Sequence, residues 1–197
     1  MPWVLGLLRK QPWRLLRAPL LLPALAGFAF KRIDHGGLKS ALIRRLLGGL
    51  ARAQVQAWTA GYVQQVVPAR LFAAALAAIA THRAAGDKLV LLSASPDLFV
   101  PALGAAMGFD QVLCTGVAWA GERLDGALTT ANRRGDEKLR CLAALRLAHP
   151  GWHVTGYGNS EPDLVHLQAC DAAFYINPRA AQLAHLHSLG ITPVHWH

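Results

Sequence analysis

The sequence predicts an α/β protein in which an all-helical N-terminal part precedes a mostly parallel β-sheet. Up to Gly86, apolar residues recur three or four positions apart, which is the spacing of one helix face. Beyond Gly86, short apolar runs typical of buried strands alternate with amphipathic helical segments. Strands that alternate with helices form parallel sheets with right-handed crossovers, so we expect residues 87–197 to build such a sheet.

The N-terminal part is strongly basic. The chain has 197 residues and a formal net charge of +9, and residues 1–52 hold ten Lys or Arg against one acid, Asp34. This asymmetry favours an anionic partner near the N-terminal third. We expect no nucleic-acid partner, because the chain has no basic stripe rich in aromatic residues and no nucleic-acid-binding motif.

Residues 1–30 leave three interpretations open. Four cations precede an apolar run over residues 18–30, which is shorter than the roughly 20 residues that a helix needs to cross a bilayer. The segment fits a secretory signal that ends before Gly27, a helix lying in a membrane interface, or an ordinary packed helix pair. We expect a cytoplasmic protein, with peripheral contact to the inner membrane through residues 1–30 as the alternative.

Three apolar stripes predict helices between residues 38 and 84. Gly48, Gly49, Pro68 and Gly86 separate the helices. The stripes are Leu38, Leu42, Leu46 and Leu50; Val55, Trp58, Tyr62 and Val66; and Leu71, Ala75, Leu76 and Ile79.

The strand that organises the second part runs from Leu89 to Leu92 and is closed by Ser93. Ser95 is a good N-cap, so we expect a helix to begin there and to stop at Gly108. Ser93 then stands at the carboxyl end of a buried strand beside a helix N-terminus. Open α/β sheets bind anions, phosphate above all, at such places.

Further elements follow in alternation, with a hairpin in between. We expect strands over residues 111–115, 152–157, 172–176 and 192–196, helices over residues 136–149, 158–169 and 179–189, and a hairpin that turns at residues 120–121.

Three polar stretches would meet where these strands end: residues 93–95, 132–138 and 158–163. A hydroxyl, a lysine and an Asn/Asp pair can together hold a phosphate and a divalent cation. Each also has a purely structural explanation. Lys138 fits a solvated helix position, Asp163 fits the first turn of a helix, and Asn159 fits a turn.

The segments SASPDLFV, RRGDEKLRCL and YGNSEPDLVHL, in that order, resemble the second, third and fourth motifs of haloacid dehalogenase-like (HAD) phosphatases. The most similar branch is subfamily IB, which contains phosphoserine phosphatase and phosphatidylglycerophosphatase C. The resemblance implies a HAD-like Rossmannoid core over residues 87–197 and a helical cap over residues 1–86. It also implies Mg²⁺ as cofactor and a phosphorylated small molecule or lipid headgroup as partner.

The resemblance assigns roles residue by residue. Ser93 and Lys138 match catalytic positions that bind the phosphate, together with Ala94, although Arg134 competes with Lys138 for the lysine position. Asp163 matches the second acidic position of the fourth motif. Asn159 stands where many members have a metal-binding Asp, so Asp163 and Asn159 are the expected metal residues.

The chain departs from the family at the first motif. That motif, Asp-x-Asp-Gly-Thr, supplies the nucleophile, but none of the eight Asp of this chain lies two residues from another. We therefore expect the central first strand of the sheet to be missing and the true protein to begin about 15 to 25 residues earlier. The leading hypothesis is a Mg²⁺-dependent phosphomonoesterase acting on a lipid headgroup. A phosphatase of phosphoserine type and a non-catalytic phosphate-binding fragment are the alternatives.

Overall fold

The computed structural model describes residues 2–196, apart from the side chains of Val67, Pro68 and Arg70. Its α-helices are α1 (Pro2–Lys10), α2 (Leu22–Ala29), α3 (His35–Leu42), α4 (Arg52–Arg70), α5 (Ala73–Ala84), α6 (Val100–Ala106), α7 (Asp136–Ala148), α8 (Leu164–Leu167) and α9 (Leu183–Ser188). A 3₁₀ helix covers Pro12–Leu21, a π-helical turn covers Ile43–Leu47, and shorter 3₁₀ turns cover Glu161–Asp163 and Ala180–Gln182. The strands are β1 (Val90–Pro96), β2 (Gln111–Thr115), β3 (Val117–Ala120), β4 (Arg123–Leu128), β5 (Thr155–Gly158), β6 (Ala172–Ile176) and β7 (Thr192–Val194).

The strands confirm the predicted α/β class. β1 pairs with β2, and β5, β6 and β7 pair in that order, all in parallel. β3 and β4 form the predicted antiparallel hairpin. Within residues 2–196, β1 and β5 each have one hydrogen-bonded strand neighbour. A further strand between them stays a prediction.

The first strand is longer than predicted, and the helix after it begins later. Pairing between β1 and β2 is interrupted by a bulge after Ser93 and resumes where Pro96 lies opposite Thr115. Because this pairing holds the chain extended, α6 begins only at Val100. The prediction that Ser95 caps the helix is therefore wrong. The backbone amide of Ser95 instead donates a hydrogen bond to the Oγ atom of Ser93.

Elements near the C-terminus are shorter than predicted. β5 begins at Thr155 and β7 ends at Val194, so each strand covers only part of the expected range. The predicted helix over residues 158–169 consists of a 3₁₀ turn followed by the four-residue α8.

The largest buried cluster lies between the N-terminal helices and the β3–β4 hairpin. Full burial of one such apolar side chain stabilises the fold by about 1.5–3 kcal/mol. Because the cluster draws residues from both sides of Gly86, the cap and core share packing, and the division there stays a prediction. The cluster comprises Trp3, Leu7, Leu8, Leu21, Ile43, Leu46, Leu47, Leu50, Val55, Leu98, Val117 and Leu124.

Backbone contacts fix the hairpin against the π-helical turn. The amide of Gly49 donates to the carbonyl of Leu124, and the amide of Leu124 donates to the carbonyl of Leu50. Gly126 has a φ of +95°, and a Cβ added there would lie 2.6 Å from the backbone nitrogen of Arg44. Only glycine fits this close approach without strain.

The N-terminal segment packs on one side only. Trp3, Leu7, Leu8 and Leu21 are buried, whereas most residues of the 3₁₀ helix and of α2 are exposed. Among the described residues, none of the helices is long and apolar enough to cross a membrane. One face of this segment is thus packed and the other lies outside the core, and the three interpretations of residues 1–30 stay open.

Candidate functional site

The first polar stretch lies at the carboxyl end of β1. The Ser93 Oγ atom accepts a hydrogen bond from the backbone N–H of Ser95 at 3.1 Å, so its hydroxyl proton can still donate elsewhere. The carbonyl of Ala94 accepts a hydrogen bond from the Oγ1 atom of Thr115, a fully buried residue, at 2.9 Å. These bonds fix the backbone of the two residues expected to bind phosphate.

A lysine from the helical part reaches the same place. Lys39, on α3, donates hydrogen bonds from Nζ to the carbonyl of Ala94 and to Oδ1 of Asn132. Burial, assisted by the charge of Arg134, lowers the pKa of Lys39 to about 8. Sequence analysis missed Lys39, because it lies on a helical segment with no motif around it. Only the packing of α3 against the end of β1 brings it here.

The second polar stretch, residues 132–138, is attached to β2. Arg133 donates from Nε to the carbonyl of Cys114 at 2.8 Å, and its guanidinium lies 3.7 Å from the carboxylate of Glu137. Gly135, with a φ of +57°, then turns the chain into α7. This geometry places Lys138 in the first turn of α7.

Lys138 and Asp163 form a buried ion pair. The distance from Lys138 Nζ to Asp163 Oδ1 is 2.6 Å, and the two side chains are 14% and 7% exposed. Arg134 is exposed and makes no such contact among the described residues, so the pairing favours Lys138 for the predicted lysine position.

The other oxygen of Asp163 caps the turn that follows β5. Asp163 Oδ2 accepts hydrogen bonds from Ser160 Oγ at 2.6 Å, from the amide of Ser160 at 3.1 Å and from the amide of Asn159 at 3.3 Å. This arrangement is a capping box in which Ser160 is the N-cap. The sequence predicts this first-turn role as the structural alternative for Asp163, and a further role toward a phosphate or a metal stays a prediction.

Charges and burial set the protonation of this pair and its neighbour. Burial raises the pKa of Asp163, but hydrogen bonds from Lys138 and Ser160 outweigh burial, so its pKa lies below the ordinary value. Burial and the charge of Lys138 lower the pKa of His166 to about 4, against the opposing effect of Asp163. The Nδ1 atom of His166 is buried without a hydrogen-bond partner in the described part of the chain. Sequence analysis missed His166, although its position three residues after Asp163 predicts a neighbouring helical position.

The oxygens near the end of β5 are suitable for a divalent cation. Mg²⁺ takes oxygen ligands and is usually held by one or two carboxylates, with waters and substrate phosphates completing its shell. Asp163 supplies one carboxylate, and the side chain of Asn159 makes no hydrogen bond within residues 2–196. The described residues contain no group of three or more His, Cys, Asp or Glu side chains poised around one point. Both oxygens of Asp163 already accept hydrogen bonds, Oδ1 from Lys138 and Oδ2 from the turn after β5. The expected role of Asp163 and Asn159 in holding Mg²⁺ therefore stays a prediction.

The structure brings the predicted residues into two connected groups. One contains Ser93 and Ala94, tied through Lys39 to Asn132, and the other contains Lys138, Asp163 and the amide of Asn159. The segment 132–138 belongs to both groups. No hydrogen bond joins Ser93 to Lys138 between residues 2 and 196, so a shared ligand between them stays a prediction.

The chain thus combines a parallel α/β core, a helical part packed against it, and a buried Lys–Asp pair. The pattern of the haloacid dehalogenase-like hydrolases matches residues 3–168. The chain belongs to this family.

Known proteins resemble this chain in sequence or in fold. Protein CicA of Caulobacter vibrioides is 30% identical over 175 residues, which are 88% of this chain and 72% of that protein. A protein of unknown function from Bordetella pertussis Tohama I has a similar fold, with a TM-score of 0.72, 17% identity, and coverage of 86% of this chain and 78% of that one. A probable phosphoserine phosphatase from Vibrio cholerae gives a TM-score of 0.69 at 14% identity, over 88% of this chain and 51% of that one. At these identities the structural similarity concerns the fold alone.

Proposed function

We propose that the protein is a Mg²⁺-dependent phosphomonoester hydrolase. The observation that carries the proposal is the ion pair between Lys138, in the first turn of α7, and Asp163, in the turn after β5. One of the three N–H donors of the ammonium is used by Asp163 at 2.6 Å, which leaves two for an anion. The Lys138 side chain is 14% exposed, so it is not fully enclosed. A cation held in this way suits the charge of a phosphoryl group.

The remaining residues would bind and orient the phosphate. The hydroxyl of Ser93 and the amide of Ala94 would donate hydrogen bonds to phosphoryl oxygens, and Lys138 would balance their charge. Asp163 fixes the position of Lys138 through its hydrogen bond, and Ser160 fixes Asp163. Asn159 and Asp163 would hold Mg²⁺, which when bound neutralises part of the negative charge of the phosphoryl oxygens.

We place the phosphate of a phospholipid headgroup first among the substrates. The basic, apolar N-terminal part supports this choice, because it favours an anionic and partly apolar partner. A small soluble phosphate of phosphoserine type is the second substrate class. The alternative to hydrolysis is phosphate binding without turnover, since the sequence contains no Asp-x-Asp pair like that of the family's first motif.

Two measurements test the proposal on the same protein. The first is calorimetric titration with orthophosphate, with and without Mg²⁺. The variant carrying both Lys138→Met and Asp163→Asn keeps the size of the pair without its charges, and we expect it to bind phosphate at least about tenfold more weakly. Lys88→Met is the matched control, because Lys88 forms an exposed ion pair with Asp110 elsewhere.

The second measurement is release of phosphate from a short-chain phosphatidic acid and from phosphoserine in the presence of Mg²⁺. Faster release from the lipid supports the first substrate class, and faster release from phosphoserine supports the second. Tight phosphate binding with no release from either ester would favour the non-catalytic function. An affinity for orthophosphate that is the same in the double variant would contradict the site.

A further inference from the structure

The N-terminal part carries an exposed apolar face, which we call the N-terminal apolar face. In the 3₁₀ helix, residues three apart share a face, so Trp13, Leu16 and Pro19 lie in one column. Residues spaced three and four apart on α2 continue it as an exposed stripe. The face comprises Trp13, Leu16, Pro19, Leu22, Leu25, Ala26, Ala29 and Phe30, all of them exposed.

The 3₁₀ helix turns Arg14 and Leu21 inward and leaves its other leucines exposed. Arg14 is 8% exposed and donates hydrogen bonds to the carbonyls of Leu46 and Gly48 at 3.1 and 3.2 Å. Leu16, two residues later, is 83% exposed. Because the arginine is fixed to carbonyls at the end of the π-helical turn, the segment cannot rotate to bury its leucines without breaking those bonds. The hydrogen bonds of Arg14 therefore fix the orientation that leaves the apolar face exposed.

Cations flank this face along the sequence. Residues 1–33 contain six Lys or Arg and no acid. Arg9 and Lys10 precede the face, Arg17 stands within it in the sequence, and Lys31 and Arg32 follow α2; all five are exposed. An apolar face flanked in the sequence by exposed charges of one sign is complementary to a surface with an apolar interior and negative headgroups.

We propose that the N-terminal apolar face docks on the surface of an anionic phospholipid bilayer, with the 3₁₀ helix and α2 lying in the plane of the interface. Leucines and Phe30 would enter the boundary between headgroups and acyl chains, and the cations would contact lipid phosphates. Trp13 suits the same depth, because its ring is apolar and its N–H polar. No helix of the described chain needs to cross the bilayer for this contact.

Vesicle flotation of the purified protein tests this proposal. The probes are vesicles of equal parts phosphatidylcholine and phosphatidylglycerol, compared with vesicles of phosphatidylcholine alone. We expect the protein to float with the mixed vesicles and to partition at least about tenfold more weakly onto the neutral ones, with binding that weakens as salt is added.

Two variants locate the contact. Leu16→Glu should lower partitioning onto the mixed vesicles by at least about tenfold, because it places a carboxylate in the apolar face and against the lipid charge. Leu147→Glu is the matched control, since Leu147 on α7 is 85% exposed and lies outside this face. Unchanged circular dichroism and melting temperature would show that both variants fold.

Several outcomes would overturn the proposal. They are absence of binding to either vesicle, equal binding to both, or an equal loss in the two variants. A dimer that Leu16→Glu converts to a monomer, with no binding to vesicles, would assign the face to a second copy of the chain instead. These readouts do not involve phosphate release, so they are independent of the proposed activity.

Discussion

Removing Lys138 alone tests whether it and Asp163 act as a buried ion pair. Lys138→Met leaves an ionised carboxylate on a residue that is 5% exposed. Breaking a buried pair in this way costs about 3–5 kcal/mol, but three hydrogen bonds from Ser160 and Asn159 remain on Asp163 Oδ2. We therefore expect the free energy of unfolding to fall by about 2–3 kcal/mol.

The double variant isolates the interaction energy between Lys138 and Asp163 from their interactions with other residues. With Asp163→Asn added, no charge is left uncompensated, so the combined cost should be about 1–2 kcal/mol smaller than the sum of the single costs. Denaturant unfolding measures these differences. In a chain of this size the single lysine variant should melt about 4–12 °C lower. Lys88→Met, at an exposed pair with a distance of 3.5 Å, should show no measurable change.

The pH dependence gives an independent test of the same pair. Burial opposes the effect, but the hydrogen bonds from Lys138 and Ser160 hold the pKa of Asp163 below its ordinary value in the folded protein. A carboxyl with a lowered folded pKa contributes stability above its unfolded pKa, and this contribution is lost as pH falls through the folded pKa. The stability difference between the wild type and Asp163→Asn should therefore shrink below about pH 4. Additive single costs together with a difference that does not change with pH would refute the ion pair.

Three further predictions concern other residues. Gly126→Ala should lower the free energy of unfolding by about 2 kcal/mol or more, because the added Cβ would meet the backbone of Arg44. Gly121→Ala, which has open space around it, should cost about 1 kcal/mol. Denaturant unfolding of the two variants measures this difference. Lys39 should titrate near pH 8 in carbon-detected NMR of its side chain, and a midpoint of ordinary lysine would contradict its burial. The ring protons of His166 should show no titration between pH 8 and pH 5, consistent with a pKa of about 4, and a midpoint near 6.5 would show that the ring is solvated.

Much of the site was predictable because its residues follow strand ends in the sequence. Ser93, Lys138 and Asp163 lie in short polar stretches after apolar runs, and parallel strands place such stretches at one edge of a sheet. The rule applies to Ser93 and Asp163, which follow the parallel strands β1 and β5. Lys138 lies on α7 after the antiparallel β4, so its contact with Asp163 depends on tertiary packing. Lys39 was not predictable, since a lysine on a helix becomes a site residue only through the packing of that helix against β1.

By itself, the sequence determined the α/β class, the hairpin, and the helical nature of the N-terminal part, because hydrophobic periodicity and glycine positions are local properties of the chain. Only the tertiary structure decided where β1 ends, since pairing of Pro96 with Thr115 outweighs the local preference of Ser95 for a helix cap. It also decided which side of residues 12–29 is buried. Periodicity cannot show that Arg14 reaches the carbonyls of Leu46 and Gly48, because those acceptors lie more than 30 residues away along the chain.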